Sequence, residues 1–196
     1  MTIVAWIVAA FLLITSAGLL ISRDWRVELG LLGMQYLGVF WLTSQHWPIS
    51  MAAIKLVTGW MAIATLGITR LNLKDVEEDT KQLWPQGRLF RAITAGIVTL
   101  IVITAAPSVE EIIPGIGLPV ISGSLILMGL GMLQLGMTVL PFRVILGLLT
   151  VLSGFEALYA SLESSILVAA MLATVNLGLA LVGAYLLTAR MPEESV

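Results

Sequence analysis

The stretch RVILGLLTVLSGFEALYASL, residues 143–162, is apolar for long enough to cross a bilayer, yet it contains a carboxylate, Glu156. Its opening heptad, RVILGLL (143–149), matches RVELGLL (26–32) at six of seven positions, 117 residues earlier in the chain. Apolar sequences share scattered residues by chance, but a match of this length with a shared arginine is more specific. It predicts an internal duplication in a membrane protein.

The composition favours the same class of protein. Hydrophobic residues make up 59% of the 196 residues and charged residues 11%, whereas soluble domains contain about 25% charged residues. The chain has no cysteine, which excludes disulfides, iron–sulfur ligation and thiol catalysis. Because His46 is the only histidine and acids are scarce in the apolar runs, the sequence predicts no metal site. It also offers no catalytic motif and no basic patch for nucleic acid.

Seven segments have the roughly 20 mainly apolar residues that a helical span needs. They are residues 2–22, 29–46, 49–70, 89–106, 119–140, 143–162 and 164–189. The first is interpreted as a span and not as a signal peptide, since no basic residue precedes it and no clear cleavage site follows. The charged stretch 71–87 is predicted to lie in water, and the Pro- and Gly-rich stretch 107–119 to form an ordered extramembrane loop.

The basic residues predict the orientation of these spans. With seven spans, nine of the ten Lys and Arg residues fall on one face, and only Lys55 lies within a span. The nine are Arg23, Arg26, Arg70, Lys74, Lys81, Arg88, Arg91, Arg143 and Arg190. By the positive-inside rule that face is cytoplasmic, which places the N-terminus outside and the C-terminus inside.

The duplication divides the chain into three parts. We expect a first three-helix copy at 1–70, a cytoplasmic loop with a spacer helix and an outer loop at 71–118, and a second three-helix copy at 119–196. A single spacer helix returns the chain to the same side, so the two copies run parallel. The predicted fold is therefore an all-α, polytopic transmembrane bundle of seven helices.

Polar side chains inside the predicted spans are the candidate functional residues, because they are costly in a membrane. Lys55 and Glu156 each lie about six residues, or roughly 9 Å, from the outer ends of their spans. They can meet as an ion pair or serve separate water-filled paths, or Lys55 can extend towards the outer surface. Gln35, Ser153 and Asn176 either line a polar path or bond one helix to another.

Several short motifs resemble component E of membrane-bound, formate-hydrogenlyase-type hydrogenases, a family related to subunit K (chain 4L) of respiratory complex I. The similar segments are Gly30-x-x-x-x-Gln35, the segment around Ala53-Ile54-Lys55, and Arg143-x-x-x-Gly147 followed by Gly154. One position departs from the family pattern. The glutamate expected five residues after Gly147 is Leu152 here, and Glu156 lies one helical turn further on the same face.

The resemblance implies a small, non-catalytic subunit beside larger antiporter-like membrane subunits and a peripheral redox arm, in a prokaryotic cell membrane. It implies participation in proton or sodium translocation and no cofactor within this chain. Glu156 then either replaces the family's glutamate, or the ion path is lost and a scaffold remains. Two other functions fit the residues: a stand-alone secondary transporter using Glu156, and a purely structural or assembly subunit.

Overall fold

The computed structural model describes residues 2–73 and 87–189 as seven α-helices, with no strand in these ranges. The helices are α1 (Thr2–Ile21), α2 (Trp25–Thr43), α3 (Ile49–Asn72), α4 (Arg88–Ile112), α5 (Leu118–Met137), α6 (Pro141–Tyr159) and α7 (Ile166–Ala189). The prediction of an all-α bundle of seven helices is confirmed. Lys74, Lys81 and Arg190, and nearly all of the charged stretch 71–87, lie outside the described residues.

Six of the helices are long and apolar enough to cross a membrane, and α2 is the exception. Arg26, Glu28 and Gln35 lower the hydropathy of α2, but Glu28 and Gln35 are buried among neighbouring helices. The 19 residues of α2 span about 28 Å, close to the thickness of a bilayer core. We therefore treat α2 as an inner membrane helix of an integral, multi-pass protein.

The helices pack so that each member of the first copy contacts its counterpart in the second. Thus α1 contacts α5, α2 contacts α6 and α3 contacts α7, while α4 lies against α5 and α1. The largest apolar cluster includes Tyr36 and Leu66 from the first copy and Leu146 and Ala180 from the second. The copies therefore share one core, and the predicted boundaries at 1–70, 71–118 and 119–196 stay a prediction.

Several predicted helix ends were wrong by two to six residues, among them the ends of α2 at Thr43 and of α5 at Met137, and three of the differences bear on the site and its surroundings. The helix α2 begins at Trp25, four residues earlier than predicted, because the Asp24 side chain accepts a hydrogen bond from the Arg26 N–H at 2.9 Å and caps the helix. The helix α6 ends at Tyr159, three residues before the predicted end at Leu162. Glu156 is thus three residues from the helix end and not six, which makes it shallower than predicted.

The third difference concerns the predicted outer loop at 107–119. The helix α4 continues through Pro107 to Ile112, so only residues 113–117 connect it to α5. A proline removes one backbone donor, and a membrane helix tolerates that loss when its other hydrogen bonds persist. Gly115 and Gly117 make the turn at positive φ angles of 99° and 91°.

The two ends of the bundle carry different side chains. We call one the arginine end; among the described residues it carries Arg23, Arg26, Arg70, Arg88, Arg91 and Arg143. At this end the Arg91 guanidinium donates a hydrogen bond to the Leu20 carbonyl at 3.0 Å. We call the other the Trp47 end; there the Trp47 indole N–H donates to the Glu163 carbonyl at 2.8 Å.

The helices α5 and α6 form the most extensive contact in the bundle, and glycines set their separation. A Cβ atom at Gly154 would lie 2.6 Å from the Ser124 carbonyl oxygen, which is backbone and has little room to move. A Cβ atom at Gly131 would lie 3.0 Å from the Gly147 carbonyl oxygen. Close approach of the two backbones therefore requires these glycines.

Gly154→Ala is expected to lower the free energy of unfolding by about 1–3 kcal/mol, because the new methyl group pushes α5 and α6 apart. The measurement is denaturant unfolding of the purified protein in mild detergent. Gly96→Ala in α4 is the matched control, since no atom lies within 4 Å of its new methyl group. Equal stability of the two variants would contradict the close-packing explanation.

Candidate functional site

Lys55 and Glu156 form an ion pair inside the bundle, between the Lys55 Nζ and the Glu156 Oε2. The two side chains are 7% and 2% exposed, so Lys55 does not extend to the surface. Of the alternatives that the sequence leaves open, the structure therefore shows the ion pair.

The connections of the chain explain why these two residues meet. The helix α3 begins at the Trp47 end and α6 finishes there, and both helices pack against α2 and α7, which brings their side chains within reach of each other. Lys55 is the seventh residue of α3, and Glu156 is three residues from the end of α6. Charged groups in a membrane interior persist only when they are paired or hydrated.

Tyr36 of α2 extends the pair into a polar cluster. Its ring centre lies 5.6 Å from the Lys55 Nζ, within the range of a cation–π contact. The Tyr36 hydroxyl donates to the Asn176 Oδ1 at 2.9 Å and also lies beside Ser153. Gly59 leaves space for the ring, since a Cβ there would lie 2.4 Å from it. Lys55, Glu156, Ser153 and Asn176 are thus brought together by a tyrosine that the sequence analysis missed.

Tyr36→Phe is expected to lower the free energy of unfolding by about 1–3 kcal/mol, because it leaves the buried Asn176 amide oxygen without its donor. Tyr185→Phe in α7 is the control: its side chain is 69% exposed, and the change should stay within about 0.5 kcal/mol. Denaturant unfolding in the same detergent measures both. If the two variants had the same free energy of unfolding, the Tyr36 hydroxyl would not contribute to the stability of the cluster.

Gln35, a predicted member of the site, makes a different contact. Its Oε1 lies 3.4 Å from the Ser16 hydroxyl of α1, which donates its proton to the Leu12 carbonyl at 2.7 Å. The neighbouring Tyr36, one position along α2, bonds instead towards Asn176 on α7. The described contacts therefore do not bring Gln35 to the Lys55–Glu156 pair; its side chain lies at the contact between α2 and α1.

Helix α6 carries a buried polar stripe along its length. Arg143, Thr150, Ser153 and Glu156 are all less than 9% exposed, and their spacings of seven and three residues form a row that winds by about 140° around the helix axis. The Thr150 and Ser153 hydroxyls donate to the Leu146 and Leu149 carbonyls of their own helix, each at 2.8 Å. Both hydroxyls keep acceptor capacity for a partner from another helix.

A second buried ion pair lies at the arginine end. The Arg143 guanidinium contacts the Glu28 Oε1 at 2.8 Å and the Ser22 carbonyl at 2.9 Å. Together with Arg91, which contacts the Leu20 carbonyl, it satisfies carbonyls at the C-terminus of α1. Cations are favourable at such helix ends, so this cluster has a structural explanation.

Glu28 was not predicted to be a buried carboxylate, because the predicted span began at residue 29. A signal was present: Glu28 is the single mismatch between the two heptads, and its counterpart is the buried Ile145. The two ion pairs are 13 residues apart along α6, or about 20 Å. Apolar side chains such as Leu146 and Leu149 fill the space between them.

The chemistry of the site is that of its charged and polar side chains. Within residues 2–73 and 87–189 no group of three or more His, Cys, Asp or Glu side chains is placed to hold a metal ion. What the site offers is a buried carboxylate and ammonium, with a phenol, a hydroxyl and an amide close by. No known protein family, characterised protein or solved structure matches this chain, so its own residues carry the functional argument.

Proposed function

We propose that this protein is a non-catalytic membrane subunit of a proton- or sodium-translocating complex of the hydrogenase or complex I type. The Lys55–Glu156 pair, buried inside the bundle, is the observation that supports this proposal most strongly. In the proposed mechanism the pair exchanges charge during translocation, and Tyr36, Ser153 and Asn176 hold it in place.

The energetics of buried ion pairs favour a functional role over a purely structural one. Replacing a buried pair by apolar residues of similar size is often neutral, or stabilising by about 1–4 kcal/mol. Met and Leu side chains would therefore connect α3 and α6 at least as well as Lys55 and Glu156 do. Ionisable residues inside membranes commonly serve ion paths. A role in such a path would explain why the chain has Lys55 and Glu156 here and not two apolar residues.

The resemblance to component E of membrane-bound hydrogenases supports the class of complex. That family has a glutamate at the position of Leu152, which is half-buried here. We propose that Glu156, one turn further along α6 and paired with Lys55, has taken over its role. The proposed partners are larger antiporter-like subunits and a peripheral redox arm in a prokaryotic cell membrane, with the arginine end cytoplasmic.

A stand-alone transporter with Glu156 as its coupling residue is the second candidate, supported by the repeated architecture. The cavity beside the pair has a volume of about 10 Å³, which suits one water molecule and not an organic substrate. Purification of the tagged protein from its native membrane in mild detergent separates the candidates. A subunit elutes with large partners in fixed ratio, whereas a transporter elutes alone or as a homo-oligomer.

Glu156→Gln is expected to reduce ion translocation by the complex about 100-fold, the lower end of what a positioned proton-transfer group contributes, while assembly is retained. The measurement is the ion gradient formed by vesicles containing the complex. Glu163→Gln is the matched control, since Glu163 lies at the same end of the bundle but is exposed. Unchanged translocation in Glu156→Gln would remove Glu156 from the ion path.

A further inference from the structure

A small cavity lies between the Lys55–Glu156 pair and the Trp47 end. Its volume is about 10 Å³, and its walls include Thr43, Trp47, Met51, Lys55, Glu156 and Ala173. A cavity of roughly 10–15 Å³ can hold one water molecule when enough polar groups surround it. Most of the cavity wall is apolar, and the Lys55 and Glu156 side chains are the charged groups that line it.

The charged groups around the cavity lack hydrogen-bond partners that a water molecule would supply. In the described residues the Lys55 Nζ and both carboxylate oxygens of Glu156 are buried and have no hydrogen bond beyond their ion pair. The Thr43 hydroxyl donates to carbonyls of its own helix and can still accept a hydrogen bond. A water molecule here can donate to Glu156 and to Thr43 and accept from Lys55.

Trp47 covers the cavity on the side of the nearer surface. Its side chain is buried in a small cluster with Met51, Ala160 and Ala169, and its indole N–H donates to the Glu163 carbonyl at 2.8 Å. Towards the arginine end, the pair is followed by the hydrogen-bonded Tyr36 and Asn176 and then by apolar side chains such as Leu66 and Leu146. Fewer side chains therefore separate the pair from water at the Trp47 end than at the arginine end.

We propose that this cavity is a water site through which the Lys55–Glu156 pair exchanges with solution at the Trp47 end, and that Trp47 controls this exchange. The role of this water molecule in ion transfer rests on the proposed function. Its access route rests only on the geometry of the cavity, and the two are tested by different measurements.

The absence of native cysteines allows a direct test with Ala173→Cys, which places a thiol in the wall of the cavity. Ala180→Cys is the matched control on the same helix, two turns towards the arginine end and fully buried in the apolar cluster. Membrane vesicles of either orientation are exposed to silver ions, which are similar in size to water. The thiols left free are then counted with a maleimide dye after denaturation.

The expected result is that Ala173→Cys reacts only in vesicles with the Trp47 end outward, and that Ala180→Cys reacts in neither orientation. Adding Trp47→Phe removes the hydrogen bond to Glu163 and should accelerate the reaction of Ala173→Cys about fivefold. Trp47→Ala, which also opens the cover, should accelerate it further. Should the alanine variant fail to fold, the phenylalanine variant decides.

Reaction of Ala173→Cys from the arginine end, equal reaction of both cysteines, or no acceleration in Trp47→Phe would each overturn the proposal. Failure of the proposed function looks different. In that case Glu156→Gln would leave translocation unchanged while the silver reaction still showed access from the Trp47 end only.

Discussion

Replacing Glu156 with alanine while Lys55 stays in place is expected to lower the free energy of unfolding by about 3–5 kcal/mol. The substitution leaves the Lys55 ammonium, buried between α3 and α6, without its counter-charge. The nearby Tyr36 ring can offset only part of that loss, since a desolvated cation–π contact contributes about 2 kcal/mol. Denaturant unfolding in mild detergent measures the change.

The double replacement Lys55→Met with Glu156→Leu should recover most of the lost stability, because it removes both charges and keeps similar volumes. With the single variants Lys55→Met and Glu156→Leu it completes a thermodynamic cycle, in which contacting residues show strong non-additivity. If the double variant were as unstable as the sum of the two single variants, the two residues would not be acting as a pair.

The second large effect is expected at the arginine end. Arg143→Ala should lower the free energy of unfolding by about 3–5 kcal/mol, because it breaks a buried ion pair with Glu28 and removes a donor to the Ser22 carbonyl. Arg143→Lys should recover only part of the loss, because both contacts come from the Arg143 Nη2 and a lysine ammonium is more strongly hydrated than a guanidinium.

The duplication provides the control for this experiment. Arg26 is the counterpart of Arg143 in the first copy, but it is exposed and lies over the Trp25 ring at 5.3 Å. Arg26→Ala should therefore cost no more than about 1 kcal/mol. Equal losses at the two positions would mean that the buried pair with Glu28 adds nothing to the stability of the bundle.

The number and order of the helices could be predicted from sequence because hydropathy and span length are local properties. The ends were harder, since they depend on single residues such as Asp24, whose cap brings Glu28 into α2. Pro107 likewise made the predicted α4 too short, because a proline usually ends a helix in water but is tolerated within a membrane helix.

The partners within the site could be predicted only in part. Lys55 and Glu156 stood out as charges in apolar runs, but the sequence does not show which helices are neighbours. Membrane helices are apolar on nearly every side, so hydropathy gives little indication of which face is buried. Tyr36 and Trp47 were missed for this reason: their importance comes from contacts with α7 and with the turn after α6, distant in the chain.

The most direct test of the proposed function is ion translocation by the complex carrying Lys55→Met and Glu156→Leu, compared with the native complex in vesicles. If the pair serves the ion path, the double variant assembles, unfolds with near-native stability and loses translocation. If the assembled double variant translocates ions at the native rate, the pair is only a contact between α3 and α6, and the proposed function of this site is wrong.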